Sequence, residues 1–68
     1  MEEHMQFIHS KVLVTTHDAL SYKGILLAID QYLNIVLQDA KPTTGTTKGA
    51  VSMFLKGSNI LHIALDRE

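Results

Sequence analysis

Cysteine is absent from this chain of 68 residues, so disulfides and thiolate metal sites are excluded. Charge is scarce: 19% of residues are Asp, Glu, Lys or Arg, and the formal net charge is -1. A broad basic face for duplex nucleic acid is thereby excluded, because that mode needs many Lys and Arg contacts to phosphates. Recognition of single-stranded bases by stacking needs no such face and stays open. No apolar run approaches the roughly 18–20 residues that span a membrane as a helix. The N-terminus lacks the basic start and long apolar stretch of a secretion signal, so the expectation is a soluble intracellular protein without a membrane partner. The single proline falls in a polar loop at 41–49, KPTTGTTKG.

What the chain does have is apolar residues, 46% of the total. So short a domain buries only about 60% of its unfolded surface and is marginal alone. Disulfides are excluded, which leaves oligomerisation as the expected remedy, with part of the apolar surface covered by a partner.

Residues 1–10 carry Met1, Met5 and Ile8 at helical spacing beside Phe7, with Glu2 and Glu3 early and Lys11 just beyond. This predicts a short N-terminal helix with little stability of its own. From Lys11 the period becomes two. Val12, Val14 and Thr16 alternate with Leu13, Thr15 and His17, which marks a first strand. A tight turn at 17–19 leads to a second strand over 20–29, in which Gly24 marks a bend or bulge. After a turn at Asp30-Gln31, a third strand is expected over 32–40, a fourth over 50–55 and a fifth over 60–65. Between the last two, Lys56-Gly57-Ser58-Asn59 reads as a four-residue turn with the glycine at positive φ. The expected fold is mainly β: the short helix, then a five-stranded, strongly bent antiparallel open barrel, in one domain over 1–68. The gap should lie between the fourth and fifth strands. Their unpaired edges are an aggregation hazard unless neighbouring copies cover them.

The segment from Asp30 to Leu37 is the most informative. Asp30 and Asn34 bracket Tyr32, and the apolar alternation follows at once. A ring and an amide side by side at a rim are the parts that hold an unpaired base. Each also has a plainer use, Tyr32 as a half-buried strand aromatic and Asn34 as a turn cap.

Other chemistry fits poorly. His4 and His9 are five apart and do not share a helix face, and His17 and His62 sit on separate stretches, so no metal or other cofactor is expected. No spacing groups a nucleophile with a base and an orienting acid. The chain also has little room for a pocket of roughly 300–1,000 Å³. No catalytic residue and no enzyme activity are expected.

The pattern resembles the Sm and Sm-like (Lsm) family over nearly the whole chain. A first Sm motif falls in 11–40, with Gly24 and Asp30-Gln31-Tyr32-Leu33-Asn34. A second falls in 50–65, with Phe54-Leu55-Lys56-Gly57-Ser58-Asn59-Ile60, and the variable loop 41–49 separates them. The resemblance implies a ring, usually of seven subunits, in which the fourth strand of one copy pairs with the fifth of the next. It implies binding of uridine-rich single-stranded RNA at the pore and scaffolding of RNA–protein complexes in splicing or RNA decay, in the nucleus and also the cytoplasm. By that resemblance Tyr32 stacks on a base and Asn34 bonds its edge. Lys56 covers the other face, Gly57 allows close backbone approach, and Asp30 braces the loop. Lys56 stands where the family often has arginine, and Ser58 where aspartate or asparagine is frequent. Lysine lacks the planar fork of arginine, so its stacking and bidentate bonding are weaker. That departure keeps a second expectation in play: a structural ring subunit, or a small-barrel protein-interaction module, with little RNA binding of its own.

Overall fold

A computed structural model describes residues 5–44 and 51–67. Five strands form one antiparallel sheet: β1 (Lys11–Thr16), β2 (Ser21–Ile29), β3 (Ile35–Pro42), β4 (Val51–Leu55) and β5 (Ile60–Leu65). Their order is β4-β3-β2-β1-β5, so β4 and β5 are the two edges, as the sequence predicts. A single-turn 3₁₀ helix, Gly57–Asn59, joins them.

Alternation places the core. Val12 and Val14 from β1, Leu26 from β2, Ile35, Leu37 and Ala40 from β3, and Ile60 and Ile63 from β5 are buried together, with Thr16 as the buried polar residue. Phe7, Ile8, Met53 and Leu55 pack on this cluster from its margins. The sheet bends where the registers slip. The β2–β3 pairing shifts between Lys23 and Ile25 and again between Leu26 and Ala28. The β3–β4 pairing shifts between Leu37 and Ala40. At the last of these sites Asp39 has φ 56°, and the buried set runs 35, 37, 40 rather than 35, 37, 39. One extra residue returns the chain to its inward face, as a bulge does. Gly24 lies against this bulge. A Cβ there would sit 3.1 Å from the Gln38 carbonyl oxygen and 3.2 Å from the Ala40 Cα, so its lack of a side chain lets β2 close onto β3.

Three expectations need correction. The N-terminal helix over 1–10 does not continue through the described part of that segment. Met5 alone is helical there, and residues 6–10 form turns, with Ile8 N–H donating to Met5 O (3.2 Å) and Ser10 N–H to Phe7 O (2.9 Å). Residues 1–4 lie outside the described residues. The next bonds explain the change: His9 N–H donates to Leu26 O (2.7 Å) and Leu26 N–H to Ser10 O (3.0 Å), so the chain is drawn onto β2 instead of winding on. The third strand begins at Ile35 rather than at 32, and the turn before it occupies 30–34. Finally, β3 runs on through Lys41 and Pro42 into the segment expected as loop, with Pro42 opposite Tyr22; residues 45–50 lie outside the described residues.

Candidate nucleic-acid interface

Sheet register brings the two informative segments together. Ile35 pairs with Leu55, so residues 34 and 56 lie one step beyond the same rung, 30–34 from one side and 56–59 from the other.

Asp30 organises the first segment. Its Oδ1 accepts the backbone N–H of Tyr32 (2.8 Å) and of Asn34 (3.0 Å), and its Oδ2 accepts from Asn34 Nδ2 (2.9 Å). Backbone bonds close the loop, from Leu33 N–H to Asp30 O (3.0 Å) and from Asp30 N–H to Asn34 O (3.1 Å). An aspartate that takes up nearby backbone N–H groups makes a turn where a ladder would otherwise run. This is why Tyr32, Leu33 and Asn34 are a turn and not strand. Leu33 is held at φ 64°, a left-handed conformation that costs a non-glycine residue on the order of 1–2 kcal/mol. The surrounding bonds over-determine it. The same bonds, the Asn34 side chain first, hold the Asp30 carboxyl below its ordinary pKa against the opposing effect of desolvation.

The second segment locks onto the first through one side chain. Gly57 N–H donates to Asn34 Oδ1 (2.7 Å). Gly57 is required by proximity: a Cβ there would lie 1.8 Å from the Tyr32 carbonyl oxygen and 2.9 Å from the Leu33 carbonyl carbon. The expected positive φ is not what demands glycine here; the close approach is to the protein's own backbone.

These bonds also settle the orientation of the Asn34 amide. A carboxylate can only accept and a backbone N–H can only donate, so the amide nitrogen must face Asp30 and the oxygen must face Gly57. Among the described residues one N–H and one oxygen lone pair of this amide are left without a partner. Next to them Tyr32 is 70% exposed, the most exposed of the large apolar side chains described. Lys56 is exposed on an extended backbone (φ -75°, ψ 136°) just ahead of the 3₁₀ turn, and its side chain makes no ion pair among the described residues. Asp30, Tyr32, Asn34, Lys56 and Gly57 thus share one rim. Ser58 is exposed beside them in the chain, with no side-chain bond to the 30–34 loop among the described residues. Among the described residues, no three His, Asp or Glu side chains gather where a metal could be held. Sequence reasoning missed the Asn34–Gly57 bond. The Asp-x-x-x-Asn spacing is a signal for the local turn, but nothing in it points 23 residues ahead.

Residues 2–65 match the LSM domain family model. The U6 snRNA-associated Sm-like protein LSm6 of Debaryomyces hansenii is 36% identical over 61 residues, covering 87% of this chain and 72% of that protein. A heptameric archaeal Sm protein superposes with a TM-score of 0.87 at 30% identity, covering 97% of this chain and 98% of that one. The Pyrococcus abyssii Sm protein, solved with a uridine heptamer, superposes with a TM-score of 0.86 at 25% identity, covering 96% and 94%.

Proposed function

The chain belongs to the LSM domain family, and on that premise we propose that it is one subunit of a ring of Sm-like chains that binds uridine-rich single-stranded RNA. The ring scaffolds RNA–protein complexes in splicing or RNA decay, and its place of work is the nucleus, a reading supported by relatives named for their association with U6 snRNA. The role is binding, without a catalytic step.

Two sets of observations support this. The first concerns assembly. Both edge strands carry exposed apolar side chains: Val51 and Phe54 on β4, Leu61 and Leu65 on β5. Pairing β4 of one copy with β5 of the next satisfies both edges and buries these groups, each worth about 1.5–3 kcal/mol when fully covered. Seven subunits are expected, as in the archaeal heptamer.

The second is the one that carries the reading: Asn34 is locked between Asp30 and Gly57 beside the exposed Tyr32. Tyr32 supplies a stacking face and Lys56 a cation for the opposite side of the base. The remaining N–H and lone pair of Asn34 match the adjacent O4 acceptor and N3–H donor of uracil. Cytosine presents N4–H₂ and an unprotonated N3, the reverse pattern. Reading it needs a flipped amide, and a flip turns the Asn34 oxygen toward the Asp30 carboxylate and its NH₂ toward the Gly57 N–H. Asp30 and Gly57 therefore act as positioning residues, and Ser58 completes the turn.

Native mass spectrometry with and without oligouridine tests the proposal. A ring built of 7.6 kDa subunits that takes up oligouridine is expected. A lone monomer under both conditions contradicts it.

A further inference from the structure

At the far end of the β2–β3 hairpin lies a second feature that the rim does not use. Lys11, Lys23 and Lys41 line an open groove of about 300 Å³ together with Asp39, Asp66, Gly24 and Ile25. Three of the chain's six Lys and Arg residues are gathered there. Ile29 lies six steps along β2 from Lys23, so at ~3.3 Å per residue the groove is up to about 20 Å from the 30–34 loop.

Lys23 stands directly opposite Lys41 in the β2–β3 register, and like charges in facing positions destabilise a sheet. Asp66 approaches Lys23 Nζ at 3.8 Å and offsets part of that repulsion. Lys11 and Lys41 make no ion pair among the described residues. Lys11 faces Ile25 across β1 and β2. These positions alternate with the buried Val12 and Gly24, so the lysines stand on the side of the sheet away from the core. With three lysines against two carboxylates, the groove has a net positive balance on a chain whose overall balance is negative.

We propose that this groove holds backbone phosphates of single-stranded RNA that extends beyond the uridine site. Lys11 and Lys41 contact phosphate oxygens, and Ile25 offers an apolar surface to the sugar and base between them. Contacts of this kind carry no sequence preference. They let one strand be read at the rim and held again outside it, raising affinity through effective concentration. The inference rests on the RNA-binding reading above.

The test measures affinity of the assembled protein for two RNAs, a uridine heptamer and the same heptamer with a cytidine tail, over a range of salt. The variants are Lys11→Gln/Lys41→Gln and the charge-keeping Lys11→Arg/Lys41→Arg. The wild-type protein should bind the tailed RNA more tightly than the heptamer. The Gln variant should lose that gain and bind the heptamer unchanged, and its salt slope for the tailed RNA should fall by about 1.4, at ~0.7 per single-strand phosphate. The Arg variant should keep the gain. A tail that adds nothing in the wild-type protein, or a gain that survives in the Gln variant, overturns the groove. Displacement of the tail by poly-glutamate at the same affinity overturns its assignment to RNA. If the heptamer fails to bind while the tailed RNA binds with lysine dependence, the groove stands and the rim reading falls.

Discussion

The 3₁₀ turn Gly57–Asn59 is held from two sides, and the two attachments differ in kind. On one side His17 N–H donates to Asn59 O at 2.9 Å, backbone to backbone. On the other, Gly57 N–H donates to the Asn34 side chain at 2.7 Å. The first can be made by any residue but proline at position 17. The second needs an amide at 34 and no side chain at 57. A barrel needs its last two strands joined; it does not need a particular side chain to do so. The part of the turn secured by backbone belongs to the fold, and the part secured by Asn34 belongs to the site.

Gly57→Ala should break this contrast most severely. The new methyl meets backbone, not a movable side chain, so the loop and the turn must separate. A loss of about 3 kcal/mol is expected, at the upper end of the usual cost of overpacking. Thermal denaturation reads it as a drop of roughly 12–24 °C for a domain of this size. Asn34→Ala comes next. It removes the partner of Gly57 N–H and one partner of Asp30, with a loss of roughly 1–3 kcal/mol in stability and of oligouridine binding together.

Tyr32→Ala should separate the two properties. The ring is exposed, so melting temperature and ring mass should stay as they are. Oligouridine affinity should fall by about 1–3 kcal/mol per stacked base, measurable by fluorescence anisotropy. Acid should loosen the loop in a defined window. The folded Asp30 carboxyl is held below its ordinary value of 3.8, so its contribution is fully present above that value and is lost as the pH falls through the lower folded one. Amide signals of Tyr32 and Asn34 followed by NMR should keep their positions down to pH 4 and move only below it. His17→Ala should do least. The bond to Asn59 comes from the backbone and survives, so the stability change should stay within about 0.5 kcal/mol. A large effect there would erase the distinction between the two attachments.

The alternation of Val12 and Val14, and of Ile35 and Leu37, made the strands and much of the core legible from sequence, because burial on one face imposes a period of two. Gly24 was legible as a bend for a similar reason, since glycine in a strand needs a cause. The bulge at Asp39 was not, because aspartate in a left-handed conformation looks locally like any exposed strand residue. Leu33 is a stronger case. Its place in the alternation with Ile35 and Leu37 reads as strand, and only the Asp30 and Asn34 bonds, seen in three dimensions, force it into the turn. The candidate residues could be named from their motif, and the structure sets the loop that carries Tyr32 and Asn34 against the turn that carries Lys56 and Gly57. How they are joined could not be read, because the bond that joins them crosses from one sheet position to another along the β3–β4 register.

The central claim is that Asn34 is locked in the orientation that reads uracil. Its most direct measurement is the affinity of the assembled protein for oligouridine against oligocytidine of equal length, in the wild-type protein and in Asn34→Ala. A clear preference for uridine that disappears in the variant, leaving both RNAs bound with the same residual affinity, is expected. Equal affinities in the wild-type protein, or a preference that persists without Asn34, would contradict it.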